Sequence, residues 1–285
     1  MSFFIARIRQ PGADVLQKKG WRAAWKWLLL RRATQVGIFA LFLLSPVLGV
    51  WVIKGNLAAS MLFDFLPMSD PFIFLQSLAS GHWPYLSAWI GLGITLAFYL
   101  LVGGRSYCAW VCPLNMVTDS AAWLRRRIGW KIGRTPARSF RLWLLGMLLI
   151  ACTLSGSMVW EWVNPVSALQ RSIIFGGALG YLMAFGIFLY ELILAPRGWC
   201  GHLCPMGACY KLINSAAVLR VAAPARAACN DCMDCFAVCP EPHVIRPALK
   251  GSGSPLILSS DCTNCGRCID VCSESVFRMT HRFKK

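Results

Sequence analysis

Long apolar runs alternate with short basic stretches over the first two thirds of the chain. Four runs have no charged residue at their centre, and a helix needs about 20 apolar residues to cross a bilayer. The runs are Ala33–Val52, Leu86–Val102, Leu142–Trp160 and Ile173–Leu194. The last quarter is instead interrupted by cysteine, glycine and proline. The pattern predicts an all-α polytopic membrane domain followed by a small domain of another kind.

The composition also favours a membrane protein. Of the 285 residues, 57% are hydrophobic and only 14% are charged, whereas a soluble domain has about a quarter charged residues. The net charge of +17 would suit a nucleic-acid binder, but the basic residues stand in blocks beside the apolar runs, where the positive-inside rule places them. We therefore expect a lipid membrane and no nucleic acid as partner.

The distribution of lysine and arginine predicts the orientation. Basic residues are dense before the first run, between the second and third, and after the fourth, whereas the other two loops contain only Lys54 and Arg171. Basic flanks stay in the cytoplasm, so four transmembrane helices with both termini cytoplasmic are expected. The expected parts are a basic segment 1–32, a membrane domain 33–197, a linker 198–228 and a C-terminal domain 229–285.

The C-terminal domain contains two runs of Cys-x2-Cys-x2-Cys-x3-Cys, and Pro240 follows the first run. Zinc sites usually separate two cysteine pairs by a dozen or more residues, whereas this closer spacing is typical of a small α+β ferredoxin with two 4Fe–4S clusters. In such ferredoxins the fourth cysteine of each run binds the other cluster. The expected ligands are Cys229, Cys232, Cys235 and Cys272 for one cluster, and Cys262, Cys265, Cys268 and Cys239 for the second.

A different cysteine motif follows the second and fourth apolar runs. Cys-x3-Cys-Pro occurs at Cys108–Pro113 and at Cys200–Pro205, which suggests duplication of a two-span unit. Residues four apart share a helix face, so the thiols of Cys108, Cys112, Cys200 and Cys204 would converge if the two spans are neighbours. Three hypotheses stay open for these thiols: a metal or third cluster, electron exchange with a partner, or a structural role.

The histidine positions argue against haem. All four histidines lie outside the apolar runs, and no Cys-x2-Cys-His run occurs, so neither b-type nor c-type haem is expected. A quinol is a plausible electron donor, and its oxidation releases two protons, which requires a base near the membrane edge. The candidate acids and bases are Asp64, Asp70, His82 and Glu161. Each could instead stabilise a loop turn, as the Asp70-Pro71 pair suggests.

Several stretches outside these motifs resemble the NapH family, the membrane quinol-dehydrogenase components of periplasmic nitrate reductase systems. They are Lys18–Trp21, Leu75–His82, Trp160–Ser167 and Cys239–His243. The resemblance covers nearly the whole chain and implies a bacterial inner-membrane protein that oxidises ubiquinol. It also implies electron transfer, with the periplasmic ferredoxin-type protein NapG, towards the nitrate reductase NapAB, and a cytoplasmic ferredoxin, NapF, as a further partner.

Two other functions compete with quinol oxidation. The chain could be a cytoplasm-facing redox or assembly factor that acts on a partner metalloenzyme through the Cys-x3-Cys-Pro thiols, or a membrane anchor without redox activity. One tension accompanies the quinol hypothesis, because the clusters are expected in the cytoplasm while the implied acceptor is periplasmic. About 30 Å of bilayer core separates the two.

Overall fold

The first part of the chain is helical. The computed structural model describes residues 11–49, 52–130 and 132–283, with only the backbone for 45–47. Helix α1 (Ala13–Lys19) leads into α2 (Trp21–Leu48). Within α2, Trp21–Leu44 is the one helical stretch in the described residues that is long and apolar enough to cross a membrane.

Helix α2 begins at Trp21, well before the predicted start of the first span at Ala33. The reason is that its basic residues find partners inside the protein. Arg31 is buried, and its Nη1 lies 3.6 Å from Oδ2 of Asp119. Gln35 donates to the carbonyl oxygens of Ala109 and Cys112. The hydropathy pattern assigned these residues to a cytoplasmic flank or to lipid, and tertiary contacts place them in the protein interior.

A small antiparallel sheet follows α2. It consists of β1 (Ile53–Gly55), β2 (Ala59–Leu62) and β3 (Leu66–Ser69), with Lys54 opposite Met61 and Ser60 opposite Met68. Helices α3 (Pro71–Ala79) and α4 (Leu86–Val102) come next, and α4 has the bounds of the second predicted span. Strand β3 lies directly against α4, since a Cβ on Gly91 would approach Oγ of Ser69 to 2.9 Å.

The middle of the chain continues with helices that differ from the predicted third and fourth spans. These are α5 (Ser106–Trp110), α6 (Leu114–Ile128), α7 (Phe140–Ser155), α8 (Val159–Val163), α9 (Pro165–Phe175), α10 (Leu179–Leu189), a π-helical extension (Tyr190–Leu194), a second π-helical turn (Trp199–Leu203) and α11 (Pro205–Asn214). Gly156, with φ of 62°, ends α7, and Gly176 and Gly177, with φ of 79° and 110°, separate α9 from α10. The predicted run Ile173–Leu194 therefore belongs to two helices.

The two cysteine motifs belong to two similar helical repeats. Asp70 caps α3 by accepting from the Phe72 and Ile73 N–H groups, and Asn164 caps α9 by accepting from the Val166 N–H. A buried glutamine follows six residues after each cap. Gln76 Oε1 accepts from the Trp160 N–H at 3.1 Å, and Gln170 Oε1 accepts from the Leu57 N–H at 3.0 Å. Each repeat therefore binds the backbone that leads into the other.

The C-terminal domain is a small α+β unit. Strands β4 (Leu219–Ala222) and β5 (Arg278–His281) form an antiparallel pair, and three short helices lie between them: α12 (Asp234–Val238), α13 (Ile245–Lys250) and α14 (Arg267–Asp270). Its apolar core contains Val221, Ile245, Ile257, Val276 and Phe277 together with cysteines of both runs. A core this small is rarely sufficient for stability without metal or disulfide bonds.

Candidate iron–sulfur sites

Two cavities in the C-terminal domain are each lined by four cysteines. The outer cysteine set is Cys229, Cys232, Cys235 and Cys272, and the inner cysteine set is Cys239, Cys262, Cys265 and Cys268. All eight are free thiols. The structure therefore places the fourth cysteine of each run beside the first three of the other run. This is the crossed arrangement expected for two 4Fe–4S clusters.

The backbone around the two sets follows one pattern. The second and fourth residues after the first cysteine of each run have positive φ: Asp231 and Met233 at 57° and 64°, Asn264 and Gly266 at 47° and 72°. These turns curve the chain around each cavity, and the Val276 N–H points at Cys272 Sγ from 3.3 Å.

No group of three or more His, Cys, Asp or Glu in the described part of the chain is placed to hold one metal ion. The spacing of the cysteines along the sequence suits an iron–sulfur cluster, in which each thiolate binds a different iron atom.

The two sets differ in exposure. Cys262, Cys265 and Cys268 of the inner set are buried, whereas Cys229 and Cys232 of the outer set are partly exposed. The inner set lies against the helical domain, because Asn264 Nδ2 donates to the Val102 carbonyl at the end of α4 at 3.0 Å and the Trp110 indole donates to the Asn264 carbonyl at 3.2 Å. The inner site therefore lies between the apolar helices and the outer site.

A buried ion network joins the two domains. Arg105 Nη1 donates to Glu241 Oε1 at 3.1 Å and to the Asp261 carbonyl at 2.9 Å, and Arg141 donates to the Asp261 carboxylate. Arg105 and Arg141 are 1% and 0% exposed. Burial opposes ionisation of Asp261, but Arg141, Lys211 and Arg105 outweigh it and lower its pKa to about 2. Asp261 thus stays charged within the interface.

A second network is centred on Asp119 of α6. Its carboxylate accepts from Arg32 at 2.6 Å, Arg197 at 2.7 Å and Arg267 at 2.7 Å. Arg267 belongs to the inner-set loop, between Cys265 and Cys268. Burial opposes ionisation of Asp119, but Arg267 and Arg197 hold its pKa well below the usual range. The carboxylate therefore remains an anion that ties α2, α6 and the C-terminal domain together.

The structure brings the four Cys-x3-Cys-Pro thiols together. Cys200 interacts electrostatically with Cys112, Cys204 and Cys108, as expected if the two repeats are neighbours. Burial and the adjacent Cys108 raise the pKa of Cys204 to about 12. A small cavity lined by Cys108 and Cys200 also touches Thr263 of the inner-set loop. The four thiols therefore lie between the helical domain and the inner cysteine set.

Two of the predicted quinol-side residues lie at the surface. Asp64 forms an exposed ion pair with Lys54, with Oδ2 and Nζ 2.6 Å apart. His82 is exposed, and its Nδ1 lies 3.1 Å from Ser80 Oγ. These contacts are typical of loop turns, and a role in quinol oxidation stays a prediction for both residues.

The other two predicted residues have structural partners. Asp70 is buried, caps α3 and accepts a hydrogen bond of 2.6 Å from the Tyr210 hydroxyl of α11. Glu161 accepts from Asn164 Nδ2 at 2.7 Å and Ser167 Oγ at 3.1 Å. Asp70 and Glu161 also interact electrostatically.

Sequence reasoning did not single out the buried arginines and their acids. A signal for the arginines was present, because Arg105 and Arg197 each precede the first cysteine of a Cys-x3-Cys-Pro motif by three residues. Their partners Glu241, Asp261 and Asp119 carry no such pattern. Only the fold shows that these carboxylates meet the repeated arginines.

Family models match both cysteine regions. A model described as a 4Fe-4S binding domain matches residues 85–131 and 177–222, so each match includes one Cys-x3-Cys-Pro motif. A model described as a 4Fe-4S dicluster domain matches residues 228–281. No solved structure was found to match the chain.

Curated relatives match over nearly the full length. The chain is 48% identical over 278 residues to the ferredoxin-type protein NapH of Escherichia coli, covering 97% of each chain. It is 50% identical over 278 residues to the methylamine utilization ferredoxin-type protein MauN of Methylorubrum extorquens, covering 98% of this chain and 97% of that one. MauN of Paracoccus denitrificans is 50% identical over 94% of both chains. The chain belongs to the NapH and MauN family of ferredoxin-type iron–sulfur proteins.

Proposed function

We propose that this iron–sulfur electron-transfer protein is a membrane subunit that oxidises ubiquinol and passes the electrons on one at a time. The observation that carries the proposal is the inner cysteine set, which the Arg105 network holds against the apolar helical domain. Each 4Fe–4S cluster, when bound, accepts and releases single electrons. The chain's own residues bind the clusters, exclude water from the inner site and fix its position beside the helices.

A location in the bacterial inner membrane is part of the proposal. Besides α2, three shorter helical stretches are apolar: α4, α7 and α10 with its π-helical extension. Exposed apolar side chains follow successive turns of α7, namely Trp143, Met147, Ile150 and Leu154. A stripe of this kind is costly in water and favourable in lipid. We propose four spans with both termini in the cytoplasm, as the basic flanks indicate.

The proposed electron acceptor is a periplasmic nitrate reductase, NapAB, reached through the ferredoxin-type protein NapG, with cytoplasmic NapF as a further partner. The sequence stretches shared with NapH favour this acceptor. The MauN relatives are as similar as the NapH relative, so the acceptor is best chosen by experiment. Reconstitution with NapG, compared with a methylamine-utilization partner, would distinguish the two assignments.

The quinol hypothesis predicts direct reduction of the clusters. In lipid nanodiscs, we expect a soluble ubiquinol analogue to reduce the clusters of the intact protein, because the inner site lies beside the apolar helices. EPR spectra of the reduced clusters measure the result, and dithionite provides the control for full reduction. Clusters that dithionite reduces and the quinol does not, even with NapG present, would contradict the hypothesis.

We further infer that Cys108, Cys112, Cys200 and Cys204 hold an additional iron–sulfur cluster. Three observations support this inference. The four thiols lie together, each pair falls within a segment that matches a 4Fe-4S binding model, and the thiols adjoin the inner-set loop.

An iron count tests the additional cluster. Replacing Cys108 and Cys200 with alanine is expected to lower the iron content by about four atoms per chain while the EPR signals of the other two clusters persist. Cys209→Ala is the matched control, because Cys209 is also a buried thiol of α11 but lies outside the motif. Unchanged iron in the double variant, combined with lost activity of a partner enzyme, would instead favour the assembly-factor function.

A further inference from the structure

A large cavity lies outside the sites described so far. It has a volume of about 710 Å³ and is bounded by α1, α2, α6 and the C-terminal domain. Its walls are mainly apolar, with Leu16, Trp25, Leu28, Met116 and Trp123 among the lining residues. Leu16, Trp25 and Trp123 are also exposed, so the cavity opens at the surface between two tryptophans. Tryptophan is enriched at the membrane–water interface.

The interior of this cavity contains guanidinium groups. Arg31 and Arg267 line it and are 1% and 7% exposed. Among the described residues, Nε and Nη1 of Arg31 and Nη1 of Arg267 have no hydrogen-bond partner. Asp119 also lines the cavity, and its Oδ2 forms an ion pair with Arg31 Nη1 at 3.6 Å. Buried donors without an acceptor are costly. A ligand with acceptor oxygens and an apolar body would satisfy these donors once the two side chains turn towards the cavity.

The same cavity lies beside the loops that carry the expected cluster ligands. Val238, Arg267 and Val271 line it, and each is adjacent in sequence to a cysteine of the two sets. Val238 precedes Cys239, Arg267 precedes Cys268 and Val271 precedes Cys272. A molecule bound in this cavity would contact residues that directly precede a cysteine of each set in the sequence. This position suits a molecule that exchanges electrons with both.

We propose that this cavity binds the quinol head group, an inference that rests on the proposed function and gives it a location. The guanidinium N–H groups of Arg31 and Arg267 donate to the ring oxygens, and the prenyl tail leaves between Trp25 and Trp123 into the lipid. With both clusters bound and oxidised, the ring would lose two electrons, one to each cluster, and two protons would pass to water at the open mouth. The quinone then leaves by the same path.

This placement differs from the outer-loop site predicted around Asp64, Asp70, His82 and Glu161. The side chains of the four outer-loop residues form an ion pair, a helix cap or local hydrogen bonds. In the cavity, by contrast, guanidinium N–H groups of Arg31 and Arg267 have no hydrogen-bond partner among the described residues. It also puts the donor and the clusters on one side of the proposed membrane domain. Quinol oxidation then requires no electron transfer across the bilayer. Only the later transfer to the periplasmic acceptor crosses it.

Photolabelling of the intact cluster-loaded protein in nanodiscs tests the location. An azido-ubiquinone analogue is expected to label peptides of α2, α6 and residues 267–271, as mapped by mass spectrometry. Ser120→Trp should reduce this labelling and slow cluster reduction by a ubiquinol analogue by about tenfold, because exposed Ser120 lines the mouth. Ser155→Trp is the matched control, since Ser155 is an exposed serine at the far end of α7.

The two readouts separate failure of the location from failure of the function. Label in the loops around residues 53–85 or 156–167, or equal labelling in both tryptophan variants, would overturn the cavity as the quinol site. A tightly bound anionic phospholipid that quinone does not displace, and that Ser120→Trp releases, would also overturn it. If the label maps to the cavity but quinol never reduces the clusters, the binding site stands and the proposed reaction fails.

Discussion

Replacing Cys272 with alanine is expected to remove the cluster of the first cysteine run and to leave that of the second. The crossed sets predict this result, because Cys272 lies with Cys229, Cys232 and Cys235. Iron content should fall by about four atoms per chain, and one set of EPR signals should disappear. Cys152→Ala, which changes a buried thiol of α7, should leave both unchanged.

Double variants show which cysteines share a cluster. Cys229→Ala combined with Cys272→Ala should lose no more iron than either change alone. Cys262→Ala combined with Cys272→Ala should lose both clusters and leave the C-terminal domain unfolded, because small metal domains depend on their metal for folding. The opposite pattern, with additional loss in the first pair and none in the second, would show that each run binds its own cluster.

Replacing Arg105 with methionine is expected to destabilise the contact between the two domains by about 3–5 kcal/mol. The reason is that Glu241 and Asp261 would remain buried in the interface with one guanidinium fewer. Urea denaturation, followed by the loss of cluster absorbance, measures the change as a lower transition midpoint.

An exposed ion pair across the same interface provides the comparison. Lys18 Nζ lies 2.5 Å from Glu274 Oε1, and Lys18 is exposed. Lys18→Met should therefore lower the denaturation midpoint much less than Arg105→Met, because exposed ion pairs add little stability. Equal shifts of the denaturation midpoint for the Lys18 and Arg105 variants would show that the buried network contributes no more than a surface contact.

Local patterns in the sequence predicted the elements that depend on local chemistry. The cysteine spacing indicated two sets of four ligands, and the run Leu86–Val102 became helix α4 with the same bounds. The Asp70-Pro71 pair indicated a turn, and in the structure Asp70 caps α3. In each case the residues that decide the structure are close together along the chain.

Features that depend on distant partners were not predictable in this way. Helix α2 begins before the predicted span, and the sequence did not show that Arg31 would pair with Asp119, which lies far along the chain. The quinol-side candidates were chosen as acids in an outer loop, and the sequence did not show that Asp70 meets Tyr210. The cavity beside the cysteine sets could not be predicted from the sequence either, since its walls come from segments that are far apart along the chain.

The paired glutamines have a consequence for how such a protein can change over evolution. Gln76 and Gln170 each accept a hydrogen bond from a backbone N–H that leads into the other repeat. Neither repeat is therefore an independent folding unit. A single repeat would leave its buried glutamine oxygen without the N–H donor that the other repeat supplies. It would also contain only two of the four Cys-x3-Cys-Pro thiols. Exchanging or permuting one repeat therefore requires new partners for both glutamine contacts.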